Sequence, residues 1–445
     1  MRRGRKHGRN GGGAGLASAA AVAVLLAPAV ASASPQDLFG YGVRMPGTGM
    51  TGPAYADDYE AVYANPAGLA RARKKKIAVG LQAGAFHAEL DGQRLPVDAG
   101  RGMTIGFQLP IPFGGVLEDR FVVGAGFYTP SSVLMKADIR FPDVPQFPVL
   151  SRTPIVAIQV GLGLDLHGLV DGLRLGVAFS VLANTVGDLD VFLDETNTFR
   201  STTETELIAD FSPIVGASYD IGDFSVGVVY RQRARAINRL RINTAGLPVE
   251  LPQLNVEGVV QYDPPTVAAE LAWRPTPDWL LAAGVEVSLW NDWPGIQART
   301  SSGSNLAPDP DFRATVSPRV GLERRFARED TEVWLRGGYA FEPTPAPESR
   351  VAPNRPADPA TEPDPVALRY YDNHRHLWTA GLGLAAPIGG GKRVRFDVFG
   401  QLHWMMPRTH GIPADGSAGD LDGSEPPAKT SGFALAGGWT VGLEF

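Results

Sequence analysis

The chain has 445 residues, no Cys and a formal net charge of −6. These values exclude disulfides, thiol catalysis and thiolate metal sites, and they leave no basic footprint for nucleic acid. A hydrophobic content of 44% suits either a soluble protein or a membrane barrel, because a barrel wall needs apolar side chains only at alternate positions. The 53 Gly and 37 Pro favour strands and turns over long helices.

Residues 1–33 are predicted to be a cleaved signal peptide. Basic residues open the chain, Ala14 to Val30 is an apolar run, and Ala31-Ser32-Ala33 offers a small-residue cleavage site. A retained membrane anchor is the alternative, but the run is rich in Ala and only marginally long enough to span. No later stretch approaches the ~20 apolar residues of a spanning helix. The mature protein is therefore expected to be exported, either as a soluble protein or as a barrel.

Residues 34–72 are predicted to form a compact N-terminal hatch, or plug, in front of the barrel. The first part is Gly-rich and unsuited to a regular strand or helix. Asp57 is expected to cap a short helix at Tyr59–Tyr63, and the residue before Pro66 should leave helical geometry. Because the segment has aromatic residues with which to pack, a plug is preferred over a disordered leader.

Residues 73–445 show the period-two alternation of β-strands. In the final strand, from Ser431 to Phe445, large apolar residues alternate with small ones. The same pattern gives fourteen candidate strands, which begin near Ile77, Arg101, Phe121, Arg152, Leu173, Thr205, Phe224, Pro265, Trp279, Arg313, Thr331, Arg375, Arg393 and Ser431. An even number is what a bacterial barrel requires. The predicted fold is all-β, a transmembrane antiparallel 14-stranded barrel at 73–445.

Connection lengths support this fold independently. From the third strand onward, short links such as Leu166–Gly172 and Ala327–Asp330 alternate with long ones such as Gly187–Glu204, Ala236–Asp263 and Glu342–His374. Barrels have short periplasmic turns and long outer loops, whereas a soluble sandwich has no reason to sort its loops in this way.

Several Trp residues lie near predicted strand ends. They are Trp279, Trp290, Trp293, Trp404 and Trp439. Interfacial aromatic girdles occupy such positions in membrane barrels. For each Trp, packing in a core is the alternative.

Charged residues fall on the inward face of the predicted barrel. The site candidates among them are Glu270, Glu286, Arg319, Glu323, Arg336 and Arg395. They could bind a carboxylate or line a polar passage. A lumen ion-pair network that stiffens the barrel and anchors the hatch is preferred, since lumen charges with mutual partners need no ligand.

Three motifs resemble the FadL/TodX family of outer-membrane transporters for long-chain fatty acids and aromatic hydrocarbons. The first is Ala56-Asp57-Asp58, followed by Val62-Tyr63-Ala64-Asn65-Pro66-Ala67-Gly68-Leu69. The second is Leu289-Trp290-Asn291-Asp292-Trp293. The third is Leu335-Arg336-Gly337-Gly338-Tyr339-Ala340-Phe341-Glu342-Pro343-Thr344-Pro345, then Tyr371-Asp372-Asn373-His374-Arg375-His376. Together they span most of the mature chain.

The resemblance implies a hatch that gates the barrel, with Asp57, Asp58, Asn65, Pro66 and Ala67 at the gate. It also implies ligand entry at the outer loops and a strand kink that opens sideways into the membrane, contacted by the Asn-Pro-Ala of the hatch. The long, Pro-rich loops depart from the family, so the surface that captures the ligand need not be the same.

The region after the third strand is apolar for an outer loop. Its tentative ligand-binding residues are Leu134, Met135, Ile139, Phe141 and Phe147, with Phe192 in the next outer loop as a weaker candidate. Exposed apolar patches usually bind something, and burial of a ligand gains roughly 0.8 kcal/mol per CH₂. The alternative is that this loop packs on its neighbours or on lipid.

The expected function is passive transport of hydrophobic molecules across the bacterial outer membrane. The alternative is a general-diffusion, structural or adhesive barrel. No Ser–His arrangement marks an enzyme, and no cofactor or metal is expected; an acidic outer loop at Asp415–Glu425 lacks the spacing of a known Ca²⁺ motif. Expected partners are a fatty acid or arene, lipopolysaccharide and outer-membrane lipid, and the barrel-assembly machinery, which reads an aromatic end such as Phe445. A monomer is expected.

Overall fold

The computed structural model describes residues 35–95, 100–131, 156–193, 199–246, 254–295, 297–300, 308–353, 362, 365–368, 370–411 and 427–445. Within these residues, the helices are short: α1 is Pro35–Phe39, α2 is Arg44–Gly47 and α3 is Ala61–Ala64. Three 3-10 turns lie at Pro66–Arg71, Gly115–Leu117 and Trp290–Asp292. No helix in the described part of the chain is long and apolar enough to cross a membrane.

Fourteen of the described strands pair in a closed antiparallel ring. They are β1 Lys76–Leu90, β3 Gly100–Pro110, β4 Phe121–Pro130, β5 Ala157–Asp165, β6 Leu173–Leu193, β7 Phe199–Ile221, β8 Phe224–Arg231, β11 Thr266–Thr276, β12 Trp279–Ser288, β14 Thr315–Arg328, β15 Thr331–Glu342, β18 Arg375–Gly389, β19 Lys392–His410 and β20 Ala428–Glu444. The ring closes where β20 pairs with all 15 residues of β1, from Lys76 opposite Glu444 to Leu90 opposite Thr430. The predicted 14-stranded barrel is therefore confirmed.

Six further strands lie outside the ring. They are β2 Gln93–Arg94, β9 Ala234–Gly246, β10 Leu254–Asp263, β13 Gln297–Thr300, β16 Arg350–Pro353 and β17 Pro365–Leu368. β9 runs parallel to the outer part of β6, where β5 no longer pairs, and β10 joins β9 to β13. The predicted loop Ala236–Asp263 is thus largely a hairpin, and most of Gly187–Glu204 belongs to β6 and β7. These predictions were wrong because the outer parts of β6 and β9 need each other as long-range partners.

The two faces of the wall differ sharply. In β8, the outward residues Phe224, Val226, Val228 and Tyr230 are 38–45% exposed, while Val229 between them is fully buried. Inward positions elsewhere hold Gly, Ala and polar residues. Lipid contact requires exposed apolar side chains on the outer face of a barrel. Since alternate residues of a strand point to opposite faces, only every second residue needs to be apolar.

Two rows of directly paired outward residues cross this face: an outer row near the long loops, and an inner row near the short turns that begins on β14. The outer row runs Phe341, His376, Trp404 and Phe433, and it continues to His87 of β1. The inner row runs Phe326, Val333, Leu384, Phe396 and Val441. From His376 to Leu384, β18 rises about 27 Å along the strand. At a tilt of about 40° this gives a band roughly 20 Å tall, close to the apolar band of membrane barrels.

The girdle interpretation fails for two of the Trp residues. Trp290 and Trp293 are 5% exposed and pack with Tyr262, Phe312 and Tyr370 in a cluster of loop residues. The ring centroids of Trp293 and Phe312 lie 4.3 Å apart. Both Trp residues follow the end of β12, where the chain has left the wall, so they fill a loop core rather than face lipid.

Residues 35–72 lie inside the ring, where they contact inward-facing residues on strands all around the wall. Wall glycines make the close approach possible, among them Gly84, Gly106, Gly126, Gly163, Gly176, Gly216, Gly227, Gly321, Gly338 and Gly381. On β20, Ala434 and Ala436 pack with Leu38 and Phe39. The segment is almost wholly buried, and Phe39, Tyr41, Val62 and Leu69 expose 0% of their surface.

Candidate functional site

Asn65 fixes one end of the N-terminal segment to the wall. Its amide Nδ2 donates to the carbonyl of Pro53 at 2.8 Å and to that of Ala217 on β7 at 3.1 Å, and its Oδ1 accepts from the Ala67 amide at 3.1 Å. Asn65 is fully buried and has extended backbone geometry, which starts the 3-10 turn Pro66–Arg71. The predicted departure from helical geometry before Pro66 is thus observed.

Glycines in the wall leave room for the N-terminal segment at this contact. A Cβ on Gly216 of β7 would lie 2.0 Å from Asn65 Oδ1, and one on Gly176 of β6 would lie 2.1 Å from the backbone of Pro66 and Ala67. Only glycine allows backbone to approach backbone this closely. The motif therefore packs on β5, β6 and β7.

The sideways-opening kink implied by the family resemblance is not seen as a break in pairing. The β4–β5, β5–β6 and β6–β7 ladders run without a register shift. The strands next to Asn65 are therefore paired in regular register. The kink that the resemblance implies stays a prediction.

Glu270 of β11 is the wall carboxylate that binds the backbone of the segment. Its two oxygens accept the amide of Gly52 at 2.9 Å and that of Ala54 at 3.0 Å. Glu270 is 5% exposed. Since a buried carboxylate needs donors, these two amides satisfy it in place of a cation.

Inside the segment, Glu60 binds a second set of backbone donors. Its carboxylate accepts the amides of Val43, Arg44 and Met45 at 2.7, 3.1 and 3.1 Å. Burial, followed by the charge of Asp58, raises the pKa of Glu60 to about 7. Glu60 therefore ties the start of α2 to the start of α3.

Asp57 and Asp58 each make an ion pair. Asp57 pairs with Arg44 at 2.8 Å and does not cap a helix; α3 begins at Ala61, with Glu60 at its N-cap. Asp58 accepts the Glu60 amide at 3.0 Å and pairs with Lys76 Nζ at 2.7 Å. Although burial opposes ionisation, Lys76 and Arg395 hold the pKa of Asp58 below its ordinary value.

Three of the predicted lumen charges, Glu323, Arg336 and Arg395, belong to a chain of ion pairs near the short-turn end of the barrel. Arg44 pairs with Glu323 at 2.8 Å, and Arg336 pairs with Glu323 at 2.7 Å. Arg336 also binds Asp397, which binds Arg395, each at 2.7 Å. Because Arg44 belongs to the N-terminal segment, this chain links α2 to three wall strands.

Two more of the predicted charges, Glu286 and Arg319, form a second cluster deeper in the barrel. Glu286 pairs with Arg319 at 2.6 Å and with Arg231 at 3.0 Å. Arg231 donates to the Tyr63 carbonyl at 3.1 Å, and its guanidinium lies 5.0 Å from the Tyr63 ring centroid. Such geometry favours the ion-pair and anchoring interpretation over a ladder that awaits a ligand.

A polar cavity of about 220 Å³ opens below the segment. Its lining includes Arg44, Asp57, Arg274, Glu323 and Arg395. It lies at the turn between β11 and β12, one of the short connections. Its charged walls would accommodate water or ions, and they would reject an apolar solute.

The predicted ligand residues fall largely outside the described residues. Leu134, Met135, Ile139, Phe141 and Phe147 lie there, as does the acidic stretch Asp415–Glu425. Phe192 lies in β6 rather than in a loop, opposite Arg200 of β7, and it is partly exposed. Among the described residues, no group of three or more His, Asp or Glu is placed to hold a metal.

Several residues that anchor the N-terminal segment were not predicted from the sequence. Glu60, Gln82 and Gln401 were not singled out, yet Gln82 donates to the Gly40 carbonyl at 3.1 Å and Gln401 to that of Pro46 at 3.1 Å. The alternation does place both Gln side chains on the inward face. A polar residue opposite a Gly-rich stretch was the available signal.

No protein-family model and no curated protein sequence matches the chain. Among solved structures, a Pseudomonas aeruginosa FadL homologue aligns with a TM-score of 0.54 at 13% identity, over 94% of this chain and 98% of that one. The P. putida toluene transporter TodX aligns with a TM-score of 0.53 at 12% identity, over 92% and 99% of the two chains. These alignments run nearly end to end, and at such identity they show shared architecture. The chain thus has the fold of the FadL homologue and of TodX.

Proposed function

We propose that this protein is a passive transporter of the FadL/TodX family that carries hydrophobic small molecules across the bacterial outer membrane. In this proposal residues 1–33 are the signal peptide, 34–72 the hatch and 73–445 the transmembrane barrel. The substrates are long-chain fatty acids or aromatic hydrocarbons. Support comes from the apolar outer face, the family motifs and the fold shared with a protein described as a toluene transporter.

The observation that carries the proposal is the way the lumen is filled. In the described part of the chain, the hatch is buried against strands all round the wall, whereas general diffusion uses an open water-filled channel. The hatch is also held by hydrogen bonds and ion pairs at separate points, including Glu270, Asn65 and Arg44. Such contacts can be exchanged for others when the hatch moves.

In the proposed mechanism the ligand enters from the outer loops, and Leu134 to Phe147 stay the predicted candidates to bind it. The hatch then shifts and the ligand leaves through the wall into the membrane. The charged cavity at the turn end supports a sideways exit, because an apolar ligand gains nothing by passing Arg44 and Glu323.

Uptake by proteoliposomes tests the proposal. Full-length protein should take up radiolabelled oleate or toluene without raising ion conductance, and deletion of residues 40–69 should abolish selective uptake while opening a conducting pore. A wall variant, Gly400→Ala, serves as control because its Cβ would meet nothing within 4 Å. If the full-length protein already conducts ions freely and shows no hydrocarbon uptake, a general-diffusion barrel replaces the proposal.

A further inference from the structure

An arginine on the outward side of the barrel has no carboxylate partner among the residues that the structure describes. Arg324 of β14 lies opposite Trp279 of β12 and opposite Leu335 of β15, and it is exposed. Its neighbour Arg325 points inward and pairs with Asp278 and Glu332. Among the described residues, the guanidinium of Arg324 makes contacts with two aromatic rings and no ion pair, so no carboxylate there neutralises its charge.

Two aromatic rings hold the guanidinium of Arg324. Its Cζ lies 4.6 Å from the ring centroid of Trp279 and 4.6 Å from that of Phe326. Trp279 is on the adjacent strand, while Phe326 is two residues nearer the short turn. The head group is therefore turned toward that end of the barrel, and cation–π contact keeps it there.

The side chain of Arg324 reaches toward the depth of a lipid phosphate. On β14, Phe326 is the last apolar outward residue before the short turn, and Arg324 lies one pair farther from that turn. Beside Arg324, Leu335 is 49% exposed and Leu322 is 39% exposed, so its surroundings on the wall are apolar. A cation at the edge of an apolar band reaches for the head-group layer.

We propose that Arg324, flanked by Trp279 and Phe326, is a binding site for the phosphate of a phospholipid in the periplasmic leaflet. The planar guanidinium presents paired donors that fit phosphate oxygens, while the two rings lie where the first carbons of the acyl chains begin. The inference rests on the membrane placement proposed above, in which short turns face the periplasm.

Native mass spectrometry of the full-length barrel tests this site. The barrel is exchanged into detergent micelles that contain equal amounts of phosphatidylglycerol and diacylglycerol, which differ in the phosphate head group. The wild type should retain phosphatidylglycerol over diacylglycerol, and Arg324→Gln should lower that retention at least threefold. Arg328→Gln is the matched control, because Arg328 lies on the same face of the same strand beyond Phe326.

Unchanged retention in Arg324→Gln, or equal loss in both variants, would overturn the inference. Trp279→Leu offers a second route should Arg324→Gln fold poorly, and it should also lower retention because it removes one ring. Hydrocarbon uptake by proteoliposomes is measured in parallel. Loss of lipid retention with uptake intact supports the site, while wild-type retention without uptake would reject the transport proposal and leave the site standing.

Discussion

At the scale of single residues, Glu270 is the most informative contact between wall and hatch. Replacement by Gln puts an NH₂ group where an oxygen accepts the Gly52 or Ala54 amide, so one buried donor loses its partner. An unsatisfied buried donor costs about 1–3 kcal/mol, or roughly 5- to 150-fold in a local opening equilibrium. We expect hydrogen exchange of residues 50–56 to accelerate by that factor in Glu270→Gln.

Glu332→Gln is the control for this variant. Glu332 pairs with Arg325 and Arg393, all on the wall, so its loss should leave exchange in the hatch unchanged. Equal protection of residues 50–56 in wild type and Glu270→Gln would show that the carboxylate does not hold the hatch.

The close approach at Gly176 makes a second prediction. In Gly176→Ala the new methyl would lie 2.1 Å from the backbone of Pro66 and Ala67, so the hatch or β6 must shift. Overpacking of this kind costs about 1–3 kcal/mol. We expect a lower thermal midpoint and faster exchange at residues 64–70, whereas Gly400→Ala should leave both unchanged. A Gly176→Ala protein as stable as the wild type would mean that the hatch is loosely seated.

At the scale of elements, Glu60 couples the order of the hatch to pH. Burial raises its pKa to about 7, above the ordinary value that it has in the unfolded segment. The stabilisation from its protonated form is therefore full at acidic pH and is lost as the pH rises through about 7. After correction for intrinsic rates, exchange protection of residues 40–64 should fall between about pH 4.5 and pH 7 and stay level above that range.

Glu60→Gln removes the titrating group and keeps an acceptor oxygen for the amides of residues 43–45. Its protection profile should be flat over the same range. A variant that keeps the wild-type slope would assign the pH dependence to another group.

At the scale of elements, sequence patterns were sufficient to predict some strands and not others. Alternation predicted the ring strands because each residue's environment is set by its own face of the wall. It missed β9, β10 and β13, since these strands are stabilised by pairing with the outer part of β6 and with each other, at a distance in sequence that no local pattern encodes. The positions of Trp290 and Trp293 were predicted wrongly for a related reason. A Trp side chain fits a membrane interface and a loop core alike.

At the scale of the whole molecule, movement of the hatch can be tested with disulfides, because the chain has no Cys of its own. A Cβ on Gly47 would lie 3.6 Å from the Cβ of Phe399, within the range that a disulfide spans. We expect oxidised Gly47→Cys/Phe399→Cys to lose hydrocarbon uptake and to recover it on reduction.

A wall-to-wall disulfide provides the matched control. Gly442 and Ala78 face each other across the β20–β1 seam with the same 3.6 Å separation. Oxidised Gly442→Cys/Ala78→Cys should transport normally, because it leaves the hatch free. Normal uptake by the Gly47–Phe399 disulfide would mean that the hatch need not move at its α2 end.

Only part of the candidate site could be predicted from the sequence. Asn65 and the inward face of Glu270 followed from a motif and from alternation. Glu60, Arg44 and the amides of residues 43–45 did not, because their partners are fixed by how the irregular hatch folds back on itself. An irregular segment has no period from which its contacts can be deduced.

The seam between β1 and β20 constrains the order in which the molecule is built. Residues 35–72 directly precede β1, and they end up enclosed by a ring whose last strand is also the last to be synthesised. Once the seam has formed along all 15 residues of β1, no gap is left through which a folded hatch could be threaded. We therefore expect the hatch to collapse against a half-built sheet before the seam forms. The N-terminal segment would then be the core around which the wall closes.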